Sequence, residues 1–406
     1  MMKNKLINLI LLIFFLNINI SAAEKDDRLS LLSPDVNLSI YSETILVNAI
    51  DNINQNKIEK ALEQLSKLIK INPDFKAAQL MYADLMLSRS QKITDFGNIQ
   101  NASFDHINSL LSEVKARWGF HKGVIDKDKF PSSLITLANT QRHVIVVDAS
   151  ASRLFLFENE DGIPRIKSDF YTTIGKNGTG KYTEGDQKTP IGVYFVTGFI
   201  PSKDLPDLYG DGAFPIDYPN AWDRRHNRTG YGIWLHGTPS NTYSRTPKDS
   251  NGCVIVSNND LNTLSNFIDE GKTPVIITNS INWINKKEWE LRNNKYNFFI
   301  EKWRQDWQSR DVNLYLQHYS KEYTGLGKDY NSWVEYKNRV IPTKEFIKVN
   351  LFDKSVFLYP GNPDLMVVTF LQDYVSDTFN RKFIKRQYWR MENDGKWRII
   401  YEGAAS

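Results

Sequence analysis

The stretch Ile233-Trp234-Leu235-His236-Gly237 is followed, seventeen residues after its histidine, by Cys253 in Ser250-Asn251-Gly252-Cys253-Val254-Ile255-Val256. Ile233–His236 and Val254–Val256 are short apolar runs bounded by glycine and polar residues, so each reads as a strand. One strand ends on an imidazole and the other begins just after a thiol. A thiol becomes a nucleophile when a neighbouring imidazole takes its proton, and a glycine before it lets backbone N–H groups approach a developing oxyanion with no Cβ in the way. These parts suit acyl transfer. Spacing alone does not put the two side chains together, and the competing reading of a single cysteine is a small buried hydrophobe.

The strand pattern extends to both sides. His143–Asp148 and Arg153–Glu158 flank the turn Ala149-Ser150-Ala151, and Asp161-Gly162 turns the chain into Arg165–Ile174. Further strands are expected at Val193–Gly198 and Val275–Thr278, with one helix from about Asp260 to Ile268 capped by Ser257 or Asn258. Residues 140–281 therefore form a mainly antiparallel β domain. Residues 24–139 read as helical: Ile58, Ala61, Leu62, Leu65, Leu68 and Ile69 recur at helical spacing, Asn72-Pro73 breaks the run, and Ala77, Leu80, Met81 and Leu85 follow. This hairpin resembles one tetratricopeptide unit without a second copy, so packing or self-association is its expected role. In residues 283–406, Trp289, Tyr296, Ile300, Trp303 and Trp307 share one face of a long helix. Strands follow at Glu345–Leu351, Ser355–Tyr359, Met366–Tyr374, Phe383–Glu392 and Lys396–Glu402. That α+β order resembles the NTF2-like cone fold, with the aromatic face as its core. The fold class is thus multidomain: an all-α module, a mainly-β domain and an α+β NTF2-like domain.

The 406 residues carry 51 Lys+Arg against 47 Asp+Glu, scattered rather than clustered, which disfavours a nucleic-acid partner. Residues 1–23 read as a cleaved secretory signal: Lys3 and Lys5, an apolar run from Leu6 to Ile20, then Ser21-Ala22-Ala23. Loss of the two lysines takes the net charge from +4 to +2, and no later run is apolar enough to remain as a membrane span. An exported chain with one cysteine holds a thiol that no intramolecular disulfide can absorb. Gly175-Lys176-Asn177-Gly178-Thr179-Gly180-Lys181 matches a P-loop, but Tyr182 stands where Ser or Thr would hold Mg²⁺ and a polar loop follows, so it reads as a glycine-rich loop. The six histidines form no close metal-binding pair, and no cofactor is expected.

Taken in order, Ile174-Gly175-Lys176, Glu184-Gly185-Asp186, Lys188-Thr189-Pro190-Ile191-Gly192, Leu235-His236-Gly237-Thr238 and Ser250-Asn251-Gly252-Cys253-Val254 resemble the YkuD-type L,D-transpeptidase catalytic domain. The resemblance implies a β-sandwich-like fold, a periplasmic location and action on peptidoglycan stem peptides. It also implies that Cys253 is the nucleophile and His236 the base, with the Gly237 carbonyl orienting the imidazole and the Gly252 and Cys253 amides as oxyanion donors. Ser250, Asn251, Thr238 and Arg245 fall in the oxyanion and substrate-binding region by the same carry-over. Two positions depart from the family pattern: Asn251 replaces a usual histidine, and Ile255 stands where many members have an arginine. Arg224, Arg225 or Arg245 could supply the missing carboxylate partner. The three-domain order resembles the cell-shape-determining L,D-carboxypeptidases, in which water takes the acyl group; an amine acceptor would give a 3→3 cross-link. A homo-oligomer or an envelope partner could form through the helical or NTF2-like domain. The alternative is a catalytically silent envelope scaffold that grips peptidoglycan.

Overall fold

A computed structural model of the chain describes residues 36–91, 97, 103–123, 126 and 128–405. The expected leader at residues 1–23 lies outside them. Helices α1 (Val36–Asn54), α2 (Ile58–Ile71), α3 (Lys76–Leu87) and α4 (Phe104–Lys122) build the N-terminal module. Ala61, Leu62, Leu65 and Leu68 of α2 are buried, as the helical spacing predicts, and Leu65 and Leu68 pack with Ala77, Ala78, Leu80 and Met81 of α3 and with Leu46, Ala49, Leu110 and Val114 in one core. No described helix is long and apolar enough to cross a membrane.

Two short strands follow, β1 (Lys129–Pro131) and β2 (Leu134–Thr136). The helical reading of this segment is corrected here, because its backbone groups are taken up by the far end of the chain. β1 pairs with β14 (Trp283–Asn285), and β2 forms the edge of the C-terminal sheet beside β17 (Ile347–Leu358). Side chains of α7 (Lys286–Gln308) hold the same edge: the Trp289 indole donates to the Leu134 carbonyl at 2.6 Å, and the Asn293 amide donates to that of Ile135 at 2.6 Å.

The central sheet runs β5 (Ile163–Tyr171), β4 (Arg153–Glu160), β3 (His143–Asp148), β13 (Pro274–Thr278) and β7 (Gly192–Phe195). β4 and β5 meet at Asp161-Gly162, both at positive φ, the two-residue turn that suits the twist of a hairpin. β3 and β13 are parallel, so the antiparallel expectation holds for most pairs and fails here. A second sheet runs β12 (Val254–Ile255), β10 (Trp234–His236), β9 (Gly212–Pro215) and β8 (Ile200–Pro201). Ile145, Val147, Leu154 and Leu156 of the first sheet pack on Phe214, Leu235 and Val254 of the second, so the two layers share one core. A parallel pair, β6 (Ile174–Gly175) and β11 (Lys248–Ser250), links the glycine-rich loop to the segment before Cys253. Helices α5 (Ala221–Arg225) and α6 (Asn258–Ser265) belong to the same domain.

In the C-terminal domain α7 buries Tyr296, Ile300, Trp303 and Trp307 against a sheet that includes β15 (Tyr319–Gly325), β20 (Trp397–Ala404), β19 (Asn380–Met391), β18 (Leu365–Ser376) and β17. The aromatic face is core, as expected. The two strands expected around residue 352 are one long strand with an irregularity between Phe352 and Ser355.

Candidate active site

β10 and β12 are neighbours in parallel register, Leu235 opposite Val254 and His236 opposite Ile255. In this register Cys253, just before Val254, falls beside Trp234, and His236 lies two positions further along the neighbouring strand. The sequence could not supply that adjacency. Cys253 is half-buried, and its Sγ donates to the Gly232 carbonyl at 3.3 Å. Burial pushes the thiol above its ordinary range, against the Trp234 backbone and the positive charges of Arg245 and Lys181. His236 is buried, and its Nδ1–H donates to the Gly237 carbonyl at 2.7 Å, which leaves Nε2 without a proton. Desolvation brings this imidazole down to about 4, further than the Gly237 hydrogen bond can raise it, with Arg245 adding to the fall. The Tyr209 ring meets the imidazole edge-on at 5.0 Å between centroids.

The cysteine loop is braced from within. Ser250 Oγ donates to the Cys253 carbonyl at 2.7 Å and accepts from the Gly252 N–H at 3.0 Å. Of the two amides expected to face an oxyanion, that of Gly252 is therefore already donated inside the loop. Gly252 sits at φ +128°, and a Cβ there would come within 2.8 Å of the Lys188 carbonyl, so the position requires glycine. Thr189 fastens the glycine-rich loop to this turn: its hydroxyl donates to the Gly252 carbonyl and accepts from the Gly175 N–H, both at 2.9 Å. Within the loop Asp186 receives Lys181 at 2.9 Å and the backbone N–H groups of Tyr182, Thr183 and Lys188. Burial raises the Asp186 carboxyl, but those hydrogen bonds prevail and hold it at about 2. Lys181 is thus neutralised internally and no helix follows it, as expected of a glycine-rich loop rather than a P-loop.

The other expected residues divide. Asn251 is exposed and meets Gln187 at 3.4 Å. Thr238 is buried, with its backbone N–H and carbonyl both bonded to the side-chain amide of Asn258, at 3.0 and 2.9 Å. Arg245 lies near the pair and donates from Nε to Asp249 at 2.9 Å. Arg224 and Arg225 do not join it: they lie on α5, where Arg225 binds the Glu322 carbonyl and Thr324 of β15. Ile255 is buried in the sheet. Sequence reasoning saw Asn258 only as a candidate cap, a role that Ser257 takes, and missed its contact with the His-Gly segment. Its Oδ1 lies 2.0 Å from where a Cβ on Gly237 would stand, so the His-Gly pair needs glycine for this contact.

Two family models match the chain: the L,D-transpeptidase catalytic domain over residues 142–277 and the Cds6 C-terminal NTF2-like domain over residues 296–403. Among solved structures, Bd1075 of Bdellovibrio bacteriovorus is 33% identical, with a TM-score of 0.62, over 68% of this chain and 98% of that one. A point mutant of the helical cell shape determining protein Pgp2 of Campylobacter jejuni is 25% identical with a TM-score of 0.55, over 67% and 94%. No curated protein matches.

Proposed function

Because the chain belongs to the L,D-transpeptidase catalytic-domain family and carries an NTF2-like domain behind that domain, we propose that it is a periplasmic cysteine acyl-transfer enzyme that trims peptidoglycan tetrapeptide stems. The observation that supports this reading is the direct pairing of β10, which ends on His236, with β12, which follows Cys253, together with an imidazole whose Nδ1 is engaged and whose Nε2 is free. In the reaction, Nε2 takes the thiol proton while Sγ attacks the carbonyl of the third residue, at the L-centre of diaminopimelate. The tetrahedral oxyanion collapses, the C–N bond to D-Ala breaks, and the imidazolium gives its proton to the departing amine. Water, deprotonated by the same imidazole, then releases the tripeptide and restores the thiol. The Cys253 amide is the oxyanion donor, Gly252 being engaged, and Arg245 is the cation for the substrate carboxylate.

Water as the acceptor draws support from the likeness to Pgp2, a protein named for cell shape. Digestion of purified sacculi and of soluble tetrapeptide, with the products resolved as muropeptides, tests this. Tripeptide and free D-Ala as the main products support it. A preponderance of 3→3 dimers would make the acceptor an amine, and unchanged tetrapeptide would favour the scaffold reading.

A further inference from the structure

Both family matches begin after residue 141, so they leave the helical module without a role. That module carries a buried ionic cluster against the catalytic domain. Glu43 of α1 binds Arg153 of β4 at 3.0 Å and approaches Arg117 of α4 at 3.5 Å. Arg117 in turn donates to Glu113 at 3.0 Å, and all four side chains are buried. Buried ion pairs cost desolvation that apolar packing avoids, so such a cluster adds little net stability while breaking it is costly. Here the geometry ends on one segment. Ser244 Oγ donates to Glu113 at 2.6 Å, one residue before Arg245. The Arg117 guanidinium lies 3.8 Å over the Tyr171 ring, and the Tyr171 hydroxyl donates to the Arg245 carbonyl at 3.0 Å. Tyr243 adds a ring contact of 4.6 Å with Phe75 of the module.

We infer that the helical module is part of the catalytic apparatus, with Glu113, Arg117 and Tyr171 as positioning residues that fix Arg245 beside Cys253 and His236. The inference rests on the dyad proposed above but not on its substrate. Two routes reach adjacent residues, Glu113 holding the Ser244 side chain and Tyr171, under Arg117, holding the Arg245 carbonyl, which also accepts from the Thr173 hydroxyl at 2.9 Å. On the inner side, the Arg245 side chain is bonded to Asp249, in the segment leading into the cysteine turn. The charges and dipoles that act on the thiol are those of Arg245, Lys181 and the Trp234 backbone, and Tyr209 feels the thiol in turn. Of the two cations, Lys181 is tied to Asp186 within its own loop, whereas Arg245 is held by Asp249 and Thr173 of the catalytic domain and, through Ser244 and Tyr171, by the module.

With one cysteine in the chain, iodoacetamide alkylation of the full-length protein as a function of pH reads the thiolate directly and needs no substrate. Arg245→Gln sets the scale and should slow alkylation at pH 7 about two- to threefold, as expected for loss of one partly exposed charge. Tyr171→Phe and Ser244→Ala each remove one hydroxyl and keep the packing, unlike changes at Arg117, which would strand buried carboxylates. Their double variant, still folded at the assay temperature though its thermal transition falls by the loss of two hydrogen bonds, should reproduce at least half of the Arg245→Gln effect, and should add nothing in the Arg245→Gln background. A double variant whose alkylation profile overlays the parent, or an Arg245→Gln profile that does not move, would overturn the inference. A parent that alkylates as expected yet leaves tetrapeptide intact would fault the proposed reaction and not this positioning role.

Discussion

A thiol held above its ordinary range and an imidazole brought down to about 4 both rest neutral, so in the proposed reaction the proton moves during attack rather than before it. Cys253→Ala should abolish every covalent adduct with a thiol-reactive carbapenem, read by intact mass, since no second cysteine exists. His236→Ala should lower the acylation rate by at least ~10²-fold, the low end for losing a positioned acid–base group; an equal rate would move the base elsewhere. The pH dependence follows from the same burial. Above pH 6.5 His236 is neutral in both the folded and the unfolded chain, whereas between 6.5 and about 4 only the unfolded chain gains the proton. Stability is therefore complete above the unfolded value and falls as pH drops through that window. Acylation should show no break at 6.5 and an acid limb near 4; a limb at 6.5 would mean that the imidazole is solvated.

At the scale of elements, the cysteine turn and the glycine-rich loop stand or fall together through Thr189. Thr189→Val keeps the shape and removes the hydroxyl, leaving the Gly252 carbonyl and the Gly175 N–H without their shared partner. A loss of about 1–3 kcal/mol is expected by chemical denaturation, the usual cost of stranding buried polar groups. Because Gly252 precedes the nucleophile, kcat should fall with it; stability lost without any change in kcat would show that the turn holds itself. Much of this layer was legible. The strands at 143–148 and 274–278 and the serine-capped helix α6 follow from alternation and capping, which are local. The strands that close the site were read as isolated runs, because their partners are distant in sequence. The β1–β2 segment was misread as helical, since its strands are only three residues long and take their partners from residues 283–285 and 347–358. Asn258 read as a candidate cap, but Ser257 takes that role and Asn258 instead accepts from Thr238, twenty residues away.

For the whole molecule, the decisive feature is a core that does not respect the domain boundaries the sequence suggests. Leu134 from the connecting segment, Val144, Phe155 and Phe157 from the central sheet, and Phe357, Leu365, Val367, Tyr388 and Ile400 from the C-terminal sheet form one buried cluster. Phe157, Leu365, Val367 and Tyr388 are fully shielded from solvent, so separating the two domains would expose an interior rather than a surface. Burying a large apolar side chain is worth about 1.5–3 kcal/mol, and loss of several at once exceeds the few kcal/mol by which domains are stable. The Asp217–Arg386 ion pair at 3.0 Å and the Arg225 contacts with β15 lie across the same boundary. Deleting residues 283–406 should consequently leave the central domain aggregated or molten rather than an isolated enzyme with weakened substrate delivery. In the intact chain, residues 140–406 should unfold in a single calorimetric transition with matched van't Hoff and calorimetric enthalpies. Two resolved transitions, or a truncated chain that keeps its near-UV signal and still alkylates at the parent rate, would show that the shared cluster is a contact between independent domains.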